Sequence, residues 1–490
     1  MENLRRLLVA RTPLIYLVSE GEARVQRLLA RLAEKAFHRP VPFYLWSSIQ
    51  GITHNGQSVS QAPREALEAL AWAQGQAGPG LFLFKDLHRD LHERRISRML
   101  KDLYGTFAAA HKTLFLTAPT LSLPEDLADL FTVVDLPLPD AEEMGAILDA
   151  VWPTLRKGAP APELRQAMAR AALGLTDTQA ERAFRQALAT PAPDASIVEA
   201  VHRERQQFIR KTGVLEFVDN PIRMEDVGGV EVLKTWMQKR RNIFSPEARD
   251  FGLSYPKGVL LMGISGCGKS LFVKAIAGFW RLPLIRLDMA RIYDGLLGSP
   301  EVSLRKAYRV AEALAPCVLW IDEIEAGISV QGFKAEGGPA SRVLGSFLTW
   351  MQEKENFVFV AATANAIDLL PPELIRKGRF DEVFFIPLPG PKERSEIFRI
   401  HLARRKQDPD AFDLELLGHS TKGFSGAEIE QVVSSALYEA FSEQRPLTQR
   451  DLLAAITRTV PLSVTMEEEI KRIEAWAFKR AVRASAKEEA

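Results

Sequence analysis

The chain is short of several things at once. Only two of its 490 residues are cysteine, Cys267 and Cys317. Two such distant thiols give neither a disulfide framework nor a metal-binding spacing, which suits a reducing compartment. A cytoplasmic location is expected, or the plastid stroma for an organelle-encoded protein. No apolar run reaches membrane-crossing length, and the first residues lack the apolar core of a secretory signal, so no membrane association is expected. Charge of one sign is missing too. With 63 Lys and Arg against 62 Asp and Glu, the net charge is +1, which argues against a nucleic-acid partner. Local basic clusters such as Lys239-Arg240-Arg241 read as solvated helix faces. No segment is low in complexity, and the chain is long enough for two or three domains.

Against that background one stretch stands out. Gly263-Ile264-Ser265-Gly266-Cys267-Gly268-Lys269-Ser270 fits the phosphate-binding loop of nucleoside triphosphatases. Its glycines let successive backbone N–H groups turn inward on phosphate oxygens. Lys269 is then the cation for the β- and γ-phosphates, and Ser270 carries a hydroxyl suited to Mg²⁺. The apolar run Gly258–Met262 before it reads as a buried parallel strand, and the sequence from Ser270 through Leu271 to Phe279 has helical spacing. An incidental Gly-rich turn is the alternative, and the strand–loop–helix setting argues against it. Cys267 lies inside the loop, where oxidation would block nucleotide, although a small residue is all that the loop needs there.

A second signal follows in Val318-Leu-Trp-Ile-Asp322-Glu323, an apolar strand ending in two acids. Beside a phosphate loop, Asp322 is suited to order the Mg²⁺ shell and Glu323 to act as general base on water. Glu325 reads as a solvated neighbour. Asn365 ends the next apolar strand, where it is placed either to bond the attacking water or γ-phosphate or to serve as a turn residue. Arg376 and Arg379 are candidates to meet transition-state charge on a neighbouring subunit's nucleotide, or else ordinary surface arginines.

The first third also alternates apolar runs with helical stretches, as a parallel sheet covered by helices requires. Its wording parallels the second half. Thr113–Thr117, Leu123–Leu127 and Val134–Pro139 match Phe357–Ala361, Leu369–Leu374 and Phe384–Pro389, and Gly174–Asp177 sits where Gly423–Gly426 sits later. This first copy is disarmed. Ser19–Arg24 contains no Gly-Lys-Ser, and Phe84-Lys85-Asp86 puts a cation where a Mg²⁺ carboxylate belongs.

Taken together, Asp226-Val-Gly-Gly229, the phosphate loop, LWIDEIE, VAATAN, the Arg376/Arg379 loop and Gly423–Glu428 resemble the classical clade of AAA+ ATPases. LAPCVLWIDEIE, SRVLGSFLTWM and LIRKGRFDEVFF are most similar to the AAA proteins encoded in algal plastids (ycf-type) and cyanobacteria, with their bacterial relatives. The opening phrase ARTPLIYLVS extends the resemblance over nearly the whole chain. It implies an α/β fold with two tandem AAA+-like modules, each a parallel sheet flanked by helices plus a small helical lid, the first degenerate. The expected divisions are 1–140 and 141–190 for the first module, a linker at 191–222, the ATPase sheet domain at 223–388, its lid at 389–460, and a C-terminal helix at 461–490. The resemblance further implies that Val227, Gly228, Ile397 and His401 contact adenine, and that Gly426 and Ala427 close over the nucleotide. ATP and Mg²⁺ are the implied cofactors, and a hexameric ring of identical subunits is the implied assembly. One departure stands out: in Ile292–Gly298, Leu296 occupies the place of the aromatic that threading relatives use to grip polypeptide, with Tyr293 three positions early.

The leading expectation is a Mg²⁺-dependent ATPase whose ring remodels an as yet unidentified protein partner. An ATP-gated switch or scaffold with slow turnover is the alternative, and a nucleic-acid-dependent ATPase ranks third.

Overall fold

The computed structural model describes the chain apart from residues 1, 36, 38, 60–62, 190–192, 211–212, 220–221, 244–245, 294–298, 329–338, 377 and 486–490. The loop containing Leu296 therefore lies outside the described residues. Two units result, Met1–Phe208 and Ile209–Ala490.

In the first unit the strands are β1 (Leu14–Val18), β2 (Phe43–Ser47), β3 (Gly51–His54), β4 (Gln57–Ser58), β5 (Gly80–Lys85), β6 (Lys112–Ala118) and β7 (Thr132–Asp135). They lie in the order β4-β3-β2-β5-β6-β1-β7. The hairpin β3–β4 is antiparallel and the remaining five strands are parallel. Such strands are covered on both faces and read as continuous apolar runs; Leu14–Val18 and Lys112–Ala118 are buried at every position. Helices Ala141–Val151, Pro162–Ala171, Asp177–Leu188 and Asp194–Arg210 follow, and Leu148, Phe184 and Val201 share their core. The stretch read as a linker is thus largely built. Ile197 and Val201 of helix Asp194–Arg210 are buried among those helices, because apolar residues four apart make one helix face.

The second unit contains β8 (Leu215–Val218), β9 (Gly258–Gly263), β10 (Leu284–Leu287), β11 (Cys317–Ile321), β12 (Val358–Ala364), β13 (Glu382–Ile386) and β14 (Val482–Arg483). Their order is β14-β13-β9-β12-β11-β10-β8, parallel throughout except for β8 on its edge. Removing the edge additions leaves β13-β9-β12-β11-β10 here and β7-β1-β6-β5-β2 in the first unit. These are the same order strand for strand, and they place Lys85 at the end of the strand that corresponds to the one before Asp322.

Helix Lys269–Trp280 packs Phe272, Val273 and Ile276 into the sheet core, where Trp280 meets Phe359 edge-on at 4.8 Å. Aromatic pairs of this geometry add about 0.5–1.5 kcal/mol to their area burial. Helices Pro391–Arg404, Leu414–Ser420, Gly426–Ser442 and Gln449–Arg458 form the lid around Phe398, Ile429 and Leu452. A helical turn, Leu462–Thr465, and helix Glu467–Arg480 come next. The expected single C-terminal helix stops there, and the chain straightens into β14 against β13.

Candidate functional site

In open parallel sheets, ligands settle beyond the carboxyl ends of the strands, where successive connections run to opposite sides. Here β9 is flanked by β12 and β13, and beyond its end lies a cavity of ≈ 370 Å³. Its phosphate-loop wall is Ser265, Gly266, Cys267, Gly268, Lys269, Ser270 and Leu271; Asp322, Glu323, Thr363 and Asn365 line it as well. Val227, Gly228, Ile397, His401, Gly426 and Ala427 complete it from the Asp226 loop and the lid. Gly263 and Ile264 stand behind this wall, and their carbonyls accept hydrogen bonds from the Lys269 ammonium, each at 2.8 Å. Burial lowers the pKa of Lys269, with Glu325, Asp322 and Glu323 among the charges that pull it back up.

Gly266 has φ +81°, and a Cβ there would stand 3.1 Å from both the Ala427 Cβ and the Ser425 Oγ. A bare backbone is therefore needed where loop and lid meet, and the Ala427 N–H donates to the Gly266 carbonyl at 3.1 Å. Cys267 is partly buried, and burial pushes its thiol up to about 12. At neutral pH it is a protonated, weakly nucleophilic thiol, which argues against a redox role.

The acids are held by β12. The Thr363 hydroxyl donates to Asp322 Oδ1 at 2.6 Å and accepts the Glu323 N–H at 3.0 Å. Glu323 sits at φ +47°, a left-handed conformation that costs a non-glycine residue about 1–2 kcal/mol. It aims the carboxylate at Asn365, whose Nδ2 donates to Glu323 Oε1 at 3.1 Å. Asn365 Oδ1 is buried without a hydrogen-bond partner. Arg286 lies 3.4 Å from Asp322.

Glu325 corrects the sequence reading. It is 7% exposed, not a solvated neighbour, and its Oε1 accepts the N–H groups of Asn365 at 2.7 Å and Ala366 at 3.1 Å. Thr363, Glu393 and Ser485 also line the cavity without any mark in the sequence, and so does Arg404, whose basic run Arg404-Arg405-Lys406 reads as a solvated helix face. For Glu325 the available signal was a third acid within four residues of Asp322; nothing in the wording marks Ser485.

Arg376 is exposed, and Arg379 donates to the Leu348 carbonyl at 3.2 Å and to Gln352. Neither lines the cavity of its own chain. In the first unit, ion pairs stand on the equivalent ground. Lys85 pairs with Glu22 at 2.7 Å, Arg24 with Glu143 at 2.7 Å, and Arg27 with the buried Asp177 at 2.6 Å.

Four segments of the chain match known families. Residues 259–388 match the ATPase family associated with various cellular activities (AAA), and residues 411–468 the AAA+ lid domain. Residues 1–136 and 142–212 match the N-terminal and second domains of SpoVK-like AAA ATPases. The chain is 38% identical over 481 residues to the AAA domain-containing protein ycf46 of Guillardia theta, spanning 97% of this chain and 94% of that protein. Its likeness to ycf46 of Trieres chinensis is 37% over 486 residues, 98% and 97% of the two chains. Over 243 residues it is 35% identical to the proteasome-activating nucleotidase of Aeropyrum pernix, 48% of this chain and 59% of that one. A cavity lined by the phosphate loop and the lid, the family matches that fall on those two walls and relatives similar from end to end lead to one conclusion: this chain belongs to the AAA family of ATPases.

Proposed function

We propose that this ATPase works with Mg²⁺, assembles into a ring of identical subunits, and couples hydrolysis to remodelling a protein partner. The observation that carries the reading is the convergence of Lys269, Ser270, Asp322, Glu323 and Asn365 on one cavity.

The residues fit the groups concerned. Asn365 Oδ1 is buried with an unmet acceptor, loop amides and Lys269 supply positive potential, and Val227 and Ile397 supply an apolar end for a base. Among the described residues no cluster of three or more His, Cys, Asp or Glu could hold a metal. A hydroxyl from Ser270 and a carboxylate from Asp322 suit Mg²⁺, which takes most of its ligands from water and phosphate. When bound, Mg²⁺-ATP supplies the scissile phosphoanhydride and a charge that offsets its oxygens. Lys269 neutralises phosphate, Glu323 takes the proton of the attacking water, and Asn365 fixes that carboxylate and the water's approach. Thr363 keeps Asp322 and Glu323 on their separate tasks.

Ring assembly is supported by Arg376 and Arg379, which lie off their own cavity and have the chemistry to meet a neighbour's transition state. Action on a protein partner is supported by the Aeropyrum relative, named as a proteasome-activating nucleotidase. The alternative, an ATP-gated scaffold with slow turnover, draws on the ion-paired, disarmed first unit.

The test is ATP hydrolysis per subunit across a wide range of protein concentration, with particle size followed by light scattering. A rate that climbs as particles assemble, and that Arg376→Ala or Arg379→Ala lowers by at least about 10³-fold, is expected. Full activity from monomers would sink the ring and give the scaffold reading the lead.

A further inference from the structure

Beyond the lid, the chain returns to the nucleotide cavity. Helix Glu467–Arg480 delivers Val482 and Arg483 to the edge of the sheet, in parallel register with Phe384 and Phe385. The Ala484 N–H then donates to the Phe385 carbonyl at 2.8 Å, and the Ala484 carbonyl accepts the N–H groups of Val232 and Leu233 at 3.0 and 3.3 Å. Ala484 is fully buried, and Ser485, 7% exposed, lines the cavity.

Ser485 makes a side-chain hydrogen bond there. Its hydroxyl donates at 2.7 Å to Glu393 Oε1, on the lid helix Pro391–Arg404. The same oxygen accepts the Val230 N–H at 3.2 Å, while Glu393 Oε2 accepts the Gly390 N–H at 2.9 Å. The neighbouring Glu396 accepts the Gly229 N–H at 2.9 Å. The loop is shaped around this contact: Gly229 has φ +72°, and a Cβ there would lie 2.5 Å from Glu393 Oε1. One carboxylate thus ties the Gly228–Val230 loop, the start of the lid and the C-terminal segment together, beside the cavity residues Val227, Gly228 and Ile397.

We propose that the C-terminal segment Val482–Ser485 is a working part of the nucleotide site, and that Ser485 is a positioning residue for its base-binding end. Ser485 acts through Glu393. With both partners in place, the carboxylate has one geometry and the base meets a preformed wall; without Ser485, Glu393 regains rotamers and the wall must be ordered on binding. The hydrogen bonds of this Glu393 linkage go to Ser485, Val230 and Gly390 and not to the phosphate loop. The proposal rests on reading the cavity as the ATP site.

Equilibrium binding of a fluorescent ADP derivative, with ATP and pyrophosphate as competitors, tests it on the full-length chain. Ser485→Ala is expected to weaken ATP by about three- to tenfold, a fraction of what a hydrogen bond to a charged group contributes. Ser485→Thr should restore affinity, and a chain ending at Ala481 should lose more than Ser485→Ala does. Pyrophosphate, which has no base, should bind all variants alike, and melting without nucleotide should show Ser485→Ala folded. Unchanged ATP affinity in Ser485→Ala and in the shortened chain would overturn the proposal, as would equal losses for ATP and pyrophosphate. Failure of the wild-type chain to bind ATP would instead remove the site assignment itself, and the proposal with it.

Discussion

Glu325 offers the sharpest test of how the hydrolytic centre is built. Its Oε1 holds two backbone N–H groups, those of Asn365 and Ala366, at 2.7 and 3.1 Å, and the residue is buried. Hydrogen bonds to a charged acceptor contribute about 1.5–3 kcal/mol each, and a buried donor left unmet costs about 1–3 kcal/mol. Glu325→Ala removes both bonds at the residue that orients Glu323. The end of β12 should rearrange at a cost of about 2–4 kcal/mol, and Asn365 should lose its aim. We expect kcat to fall by about 10- to 100-fold, comparable to Asn365→Ala, with KM for ATP nearly unchanged because the phosphate loop is intact. Glu325→Gln keeps a carbonyl oxygen for the same two donors and should retain most of the activity. The assay is steady-state phosphate release for Glu325→Ala, Glu325→Gln, Asn365→Ala and the double alanine variant. Residues that act as one unit give strongly sub-additive losses. Full additivity, or a Gln variant as poor as the Ala variant, would refute the argument that Glu325 works through the Asn365 backbone.

Two further outcomes follow. Glu323→Gln removes the base while keeping size and an acceptor, so nucleotide should still bind while turnover falls by at least about 10²-fold; in a coupled ring, an excess of this variant should poison wild-type activity, and mere dilution in mixed-subunit assays would count against coupling. In the first unit, burial and then Arg205 lower the His202 pKa from 6.5 to about 4. Between those values the unfolded chain holds more protons than the folded one, so stability is intact above about pH 6.5 and is lost as pH falls toward 4. Allowing for solvent around a half-buried ring, the loss should be about 1–2 kcal/mol; His202→Gln should flatten it in thermal melts from pH 7 to pH 4.

The aligned ion pairs of the first unit give its disarmed state a physical form. A cation at Lys85 is not merely the wrong charge for Mg²⁺. It is already satisfied by Glu22 and Gln26, and Arg24 and Arg27 tie the same helix to Glu143 and Asp177 of the helical part. In the first unit these ion pairs cross-link the helix after β1 to the helical part.

What the sequence determined by itself was everything set by local chemistry. An apolar strand, a glycine loop and Lys269-Ser270 are contiguous, and their meaning survives without the rest of the fold. Apolar runs ending in Asp322-Glu323 and in Asn365 carry the same kind of information, since a buried parallel strand must be apolar and its last residue points at the ligand. The repeat was legible too, because Thr113–Pro139 runs parallel in wording to Phe357–Pro389. What only the tertiary structure decided was which polar groups lost water and to whom. Glu325 looks like any surface acid until the β12 backbone is laid beside it, and Ser485 like any tail serine until β14 adds to the sheet edge. Helix Asp194–Arg210 sits behind a proline-rich start that reads as linker, although its apolar face is buried. Each of these depends on a contact between residues far apart in the chain, and burial at such a contact is a property of the partner as much as of the residue.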